Sequence, residues 1–295
     1  MKIIITGMSG FVGQWLKAEC EQHGHIVKGV SFRNIDFTNK DELYCAFVDF
    51  EPDVIFHLAA QSSPHISWKE PYSTILDNIV SAVNIMALTE ELGCKLVIAG
   101  SAEVYETQLT PLSESSELKP RNPYGASKLL IDHMVRIIGS DRKINVTLLR
   151  LFNHIGPKQS ENFVVSTFAK QLAEIKLGIK DPVISVGNLT AKRDMLDVRD
   201  AVRAYLLVAE REEFGEFYNV CSGKSYEISD ILNRLIDISG LQVEVVEDPN
   251  RMRPSDIPIF VGSYNKINEI GWTPTHSIND TLKDTYEWWL SELGR

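Results

Sequence analysis

Tyr124 and Lys128 lie four residues apart in the run NPYGASK, residues 122–128. Pro123 suits the first turn of a helix, and that spacing then puts phenol and ammonium on one helical face. A phenol with its ordinary pKa of about 10 is a poor proton carrier at neutral pH. A nearby ammonium favours the phenolate and is expected to bring that pKa down, so the pair could exchange a proton with a carbonyl or alcohol oxygen. Surface helices carry many such pairs, so the spacing needs support from its surroundings. Upstream, AGSAEVYE (residues 99–106) follows the apolar run CKLVIAG and sets Ser101 and Glu103 at a strand tip, with Ala102 between them. Ser101 could hydrogen-bond the same substrate oxygen.

A second constellation opens the chain. Residues 6–13 read TGMSGFVG, with Gly7, Gly10 and Gly13 between an apolar strand, KIIITG, and a helical pattern that begins at Phe11 and Val12. Glycines there permit a tight turn and close backbone approach to a pyrophosphate, and the helix start offers unpaired N–H groups to its charge. A dinucleotide is the expected ligand, NAD(H) or NADP(H). The second strand ends GVSFRN without the acidic residue that favours NAD. Arg33 is placed either to pair a 2′-phosphate or to stand as a solvated loop arginine. Asp36 and Phe37, in NIDFTN, are expected near the adenine. With a nicotinamide bound, Lys128 could hold its ribose, and the ring's positive charge would act on Tyr124 in the same direction as the ammonium.

These groups need elements to position them. Apolar runs (KIIITG, HIVKGVSF, PDVIFHLAA, CKLVIAGS, NVTLLRLF) alternate with helical patterns through the first half. Runs buried on both faces imply a parallel sheet covered on each side, the Rossmann doubly wound α/β class. After NHIGP the rhythm changes, which points to a smaller α/β domain interleaved with the first. The expected division is 1–160 with 191–223 for the dinucleotide, and 161–190 with 224–295 for the substrate.

The 295 residues are 44% apolar, enough for a large core, and carry a net charge of −10 with no basic block. Nucleic acid is therefore not the expected partner. Cys20, Cys45, Cys94 and Cys221 show no paired spacing, so no metal site is expected and the thiols read as reduced. MKIIITG enters a strand at once and no run reaches a membrane span. A soluble, cytoplasmic protein without a membrane partner is the expectation.

Together these features resemble the extended short-chain dehydrogenase/reductase superfamily, in the branch acting on nucleotide sugars. TGMSGFVG, HLAAQ, GSAEVY, YGASK and RLFNHIGP fall in the family's order along the whole chain. The resemblance implies a Rossmann domain, a nucleotide-sugar domain and a homodimer built on the helices near 73–92 and 124–138. It implies catalysis by Ser101, Tyr124 and Lys128, and cofactor contacts from Leu58, Ala59, Ala60, Gln61 and Asn78. The second half looks most like the GDP-sugar reductases. That likeness puts Asn153, Arg193 and Arg253 on the substrate diphosphate, with Arg251 a weaker candidate, and Asp256 on a ribose. A diphosphate in an acidic protein needs such guanidinium forks. His57, His65 and His154 read as structural.

Three reactions are open to this scaffold. Related dehydratases carry Thr-Asp-Glu or Thr-Ser-Glu at the strand tip, and the fucose-type epimerase–reductases carry a Cys after the serine. Ala102 supplies neither group. Carbonyl reduction needs only hydride, Tyr124 and Ser101. The expected function is therefore reduction of the C4 ketone of a GDP-4-keto-6-deoxyhexose. A 4-epimerase with bound NAD and a GDP-mannose 4,6-dehydratase are the alternatives. Glu103 is either a vestige or a substrate contact.

Overall fold

A computed structural model of the chain describes residues 1–32, 34–251 and 258–294. The five apolar runs become β1 (Lys2–Thr6), β2 (Ile26–Val30), β3 (Val54–His57), β4 (Lys95–Ala99) and β5 (Val146–Leu151). Together with the strand Phe214–Val220 they form one sheet in the order β2-β1-β3-β4-β5-(214–220), every neighbouring pair parallel. The strand order reverses between β1 and β3, which opens a crevice at the carboxyl ends of the strands, where ligands of such sheets bind.

Alternation along β1 explains the two covered faces. Ile3 and Ile5 pack with Leu16 of α1 (Phe11–Gln22) and with Val202 and Tyr205, while Ile4 packs on the opposite face. There it meets α2 (Lys40–Phe47), α4 (Pro71–Leu92) and α5 (Pro123–Arg142) through Leu43, Ile85 and Ile131. A short α3 (Pro64–Lys69), which the sequence pattern did not suggest, leads into α4. Gly24 stands just beyond the end of α1 at φ +76°.

A separate apolar cluster gathers α6 (Val164–Lys176), α8 (Ile228–Ser239) and α10 (Ile278–Leu293) around Phe168, Leu232 and Tyr286. Between them in the chain, α7 (Val198–Ala209) returns to the large sheet. So does the segment around α9 (Asn265–Glu269), whose Ile267 is buried with Trp272 and Tyr264 in the β1 cluster. The chain therefore crosses between the two clusters repeatedly. The four cysteines are free thiols, and no helix among the described residues is long and apolar enough to cross a membrane.

Candidate active site

The glycine turn follows β1 directly. Gly7 has φ +71°, and a Cβ there would stand 3.0 Å from the Ala59 nitrogen. A Cβ on Gly13 would overlap the Gly7 carbonyl oxygen and lie 2.6 Å from the Met8 Cα. Gly10 donates to that same carbonyl at 3.0 Å and begins α1 with no side-chain cap and no acidic residue in the first turn. The N–H groups at Phe11 and Val12 are thus left for a ligand's charge. Beside the turn, a cavity of about 580 Å³ is lined by Phe32, Asp36, Ala60, Gln61 and Asp77. Asp36 borders it with a carboxylate held below its usual range by hydrogen bonds from the Thr38 hydroxyl and backbone. Phe37 differs from expectation: the whole residue is buried in the core, its ring against Phe32 and His57 and its carbonyl oxygen accepting from Asn84 Nδ2 at 3.0 Å, so it faces inward rather than toward the crevice. Arg33 lies outside the described residues.

The loop after β3 is fixed from below. The Thr6 hydroxyl oxygen accepts from Leu58 and Ala59 N–H at 3.2 Å each, which directs its own proton to His57 Nδ1, 2.9 Å away. Burial, with the nearby Lys128 charge, pushes His57 down to about 3, so it is a neutral structural acceptor. His154 is structural too, stacked on Phe11 and bonded to the Phe152 carbonyl. Gln61 and Asn78 form a bracket: Gln61 N–H donates to Asn78 Oδ1 at 2.8 Å, and Asn78 Nδ2 donates to the Gln61 carbonyl at 3.1 Å. The same Nδ2 reaches Ser127 Oγ at 3.1 Å, whose hydroxyl donates to the Tyr124 carbonyl at 2.7 Å. The Asn78 side chain is therefore used within the protein, and holds the loop after β3 against α5.

α5 presents Tyr124 and Lys128, both buried, at the crevice. Asn122 caps the helix by accepting from Gly125 N–H at 2.8 Å, with Pro123 in the first turn. Lys128 Nζ donates to the Ala99 carbonyl at 2.7 Å and stands 5.9 Å from the Tyr124 ring centre. Burial lowers Lys128 to about 8, and Asp132, one turn further on, favours its charged form. Asp132 is itself buried against Arg150 at 2.6 Å. The tyrosine departs from expectation in sign. Burial pushes the phenol up to about 12, a hydrogen bond to Ser101 opposes the rise, and the Glu103 charge adds to it. Desolvation outweighs the neighbours because the phenolate would have to form in a dry site.

The strand tip itself is a single tight turn, Ala102–Val104, whose first N–H groups are capped by Ser101: Glu103 N–H donates to Ser101 Oγ at 3.2 Å. Ala102 is buried in an apolar cluster with Val104, Phe152 and Phe260, and it offers no proton. Glu103 is half-buried, and its Oε2 accepts from Asn122 Nδ2 at 2.9 Å. Sequence reasoning missed Asn122, although an Asn before Pro at a helix start is a cap signature.

Across the crevice, the Asn153 side chain is exposed after β5. Arg193 lies on the short strand Lys192–Asp194, half-buried between the strands Ser225–Glu227 and Ile259–Phe260. Next to it Asp194 is fully buried and accepts from Ser222 N–H (2.7 Å), Ser222 Oγ (2.8 Å), Gly223 N–H (3.0 Å) and Gly262 N–H (3.3 Å). It thereby ties two loops to the strand that carries Arg193. Arg251 pairs with Asp248 at 3.4 Å. Arg253 and Asp256 lie outside the described residues.

The family model described as GDP-mannose 4,6 dehydratase matches residues 15–285. A GDP-6-deoxy-D-mannose reductase of Pseudomonas aeruginosa is 32% identical over 99% of this chain and 98% of its own. A GDP-6-deoxy-D-talose 4-dehydrogenase of Aggregatibacter actinomycetemcomitans is 31% identical over the full length of both. The solved structure of RMD from Pseudomonas aeruginosa complexed with NADPH superposes with a TM-score of 0.91 at 30% identity, covering 99% of this chain and 100% of that one.

Proposed function

Because the chain belongs to the GDP-mannose 4,6 dehydratase family of extended short-chain dehydrogenases/reductases, and is an NAD(P)-dependent oxidoreductase, we propose that it reduces the C4 ketone of a GDP-4-keto-6-deoxyhexose to a GDP-6-deoxymannose (GDP-D-rhamnose) product. One observation carries the reading. Ser101 and Lys128 both stand against Tyr124, while the position between Ser101 and Glu103 is a methyl buried in apolar packing. That is enough for proton delivery to an alkoxide and lacks a second acid for dehydration.

The residues fit a dinucleotide: the cradle at Gly7 and Gly13 admits no side chain, and the α1 terminus has no side-chain cap. Gly7, Gly10, Phe11, Val12 and Gly13 hold the pyrophosphate, and Asp36 and Ala60 face the adenosine. The backbone from Leu58 to Gln61 lines the remainder, and Arg33 favours the 2′-phosphate of NADPH. When bound, the reduced nicotinamide supplies the hydride. Ser101 donates a hydrogen bond to the C4 oxygen, Tyr124 delivers the proton to it, and Lys128 binds the ribose and favours transfer away from the phenol. Asn153, Arg193 and Arg253 hold the diphosphate, with Asp256 on a ribose. Residues 1–160 with 191–223 form the cofactor domain, and 161–190 with 224–295 form the substrate domain, stitched back to the sheet by α9. The exposed apolar residues Tyr72, Ile75 and Leu76 on α4, and Leu130 and Ile137 on α5, support a homodimer across these helices. The free thiols agree with a cytoplasmic setting.

The test is purified protein with NADPH or NADH and GDP-4-keto-6-deoxymannose. Nicotinamide absorbance should fall, and NMR should show GDP-6-deoxymannose. No consumption with either cofactor overturns the reading. Conversion of GDP-mannose itself, or interconversion of 4-epimers without net redox, would replace it with the dehydratase or the epimerase. The 6-deoxytalose epimer at C4 would change only the face of the ketone that is attacked.

A further inference from the structure

Glu103 has no step in the reaction above, yet it is tied to the helix that performs it. Its Oε2 accepts from Asn122 Nδ2 at 2.9 Å, and the other end of the same amide, Oδ1, caps α5 through Gly125 N–H at 2.8 Å. The two segments also touch through their backbones, since a Cβ on Gly125 would stand 2.5 Å from the Glu103 carbonyl oxygen. On its other side Glu103 N–H is held by Ser101 Oγ at 3.2 Å. A carboxylate at a helix N-terminus also meets the favourable end of the helix dipole. Glu103 thus links the two groups that contact the substrate oxygen, Ser101 and Tyr124.

We propose that Glu103, clamped by Asn122, is a positioning residue that seats the start of α5 against the strand tip, with its carboxylate charge set toward the Tyr124 phenol. The inference rests on the reductase reading, in which ketone reduction ends with a proton delivered by Tyr124 to the new alkoxide. Other polar groups around the phenol are Ser101 from the same turn, Lys128 from the next turn of α5, and Tyr205 from α7; Asp132 acts on Lys128, which in turn acts on His57. Ser101 favours the phenolate, whereas the Glu103 charge disfavours it. Removing that charge while keeping the clamp separates the two roles.

Glu103→Gln retains an oxygen for Asn122 and loses the charge. The alkaline limb of kcat for ketone reduction should then move to lower pH by about one unit. The ultraviolet titration of Tyr124 in the NADP-bound protein, read as the difference from Tyr124→Phe, should move the same way. Asn122→Ser keeps a capping hydroxyl and loses the clamp, so kcat should fall severalfold with KM for the nucleotide sugar unchanged. An alkaline limb and a phenol titration that both stay put in Glu103→Gln overturn the proposal. So does an Asn122→Ser variant that raises KM and leaves kcat alone. If the parent protein reduces no 4-ketosugar, the reductase reading fails by itself, and the phenol titration alone decides the role of Glu103.

Discussion

Two helices begin at the same crevice, and their first turns are built in opposite ways. α1 starts at Gly10 with no side-chain cap and no acidic residue. α5 starts at Asn122, which caps Gly125 and is gripped in turn by Glu103. The first terminus leaves its N–H donors to a ligand, and the glycines around it keep side chains away. The second uses its donors within the protein and gains a fixed direction for Tyr124. One helix start is left open, and the other is tied down.

That contrast can be broken by crossing two substitutions. Tyr124→Phe should lower kcat by about 10²–10⁴-fold, the usual worth of a positioned proton donor, with NADPH affinity by fluorescence titration unchanged. Gly13→Ala should do the reverse. Its methyl meets the Gly7 carbonyl and the Met8 backbone, so NADPH affinity should fall at least about tenfold, while Tyr124 keeps its titration. A tight NADPH complex of Gly13→Ala would show that the turn is not the pyrophosphate cradle.

The floor beneath both helix starts has a pH signature. His57 sits near 3 when folded and at its ordinary 6.5 when unfolded. A folded value below the unfolded one means that the unfolded chain takes up more protons in acid. Its contribution is therefore complete above pH 6.5 and is lost as pH falls toward 3. Between pH 7 and pH 5 this should cost about 2 kcal/mol in urea-unfolding stability, and His57→Gln should flatten that part of the slope. The smallest expected effect is at the cap: Asn122→Ala should destabilise by about 1 kcal/mol, seen as a lower melting temperature.

What could be read from the sequence was local. The spacing of Gly7, Gly10 and Gly13, the four-residue step from Tyr124 to Lys128, and the apolar strands each lie within a few residues of chain. They indicated the sheet and most of the groups that line its crevice. What could not be read depends on distant pairing. Asn78 reaches Gln61 and Ser127, 17 and 49 residues away. Arg150 finds Asp132 in the core, and Trp272 returns to the β1 cluster. The rise of the Tyr124 pKa was invisible for the same reason: spacing reveals the neighbour Lys128, whereas burial is a property of the whole fold. Phe37 shows the converse, a residue in the right loop whose ring turned inward.

The Gln61–Asn78–Ser127 bracket bears on how the crevice opens. Spreading the loop after β3 away from α5 would break either the two hydrogen bonds that join Gln61 to the buried Asn78 amide or the one that joins that amide to Ser127, at about 1–3 kcal/mol for each group left unsatisfied. The loop after β3 is thus anchored to α5 through the Asn78 amide of α4. Across the crevice the strand bearing Arg193 is tied down in a comparable way, to loops gathered on the single carboxylate of Asp194.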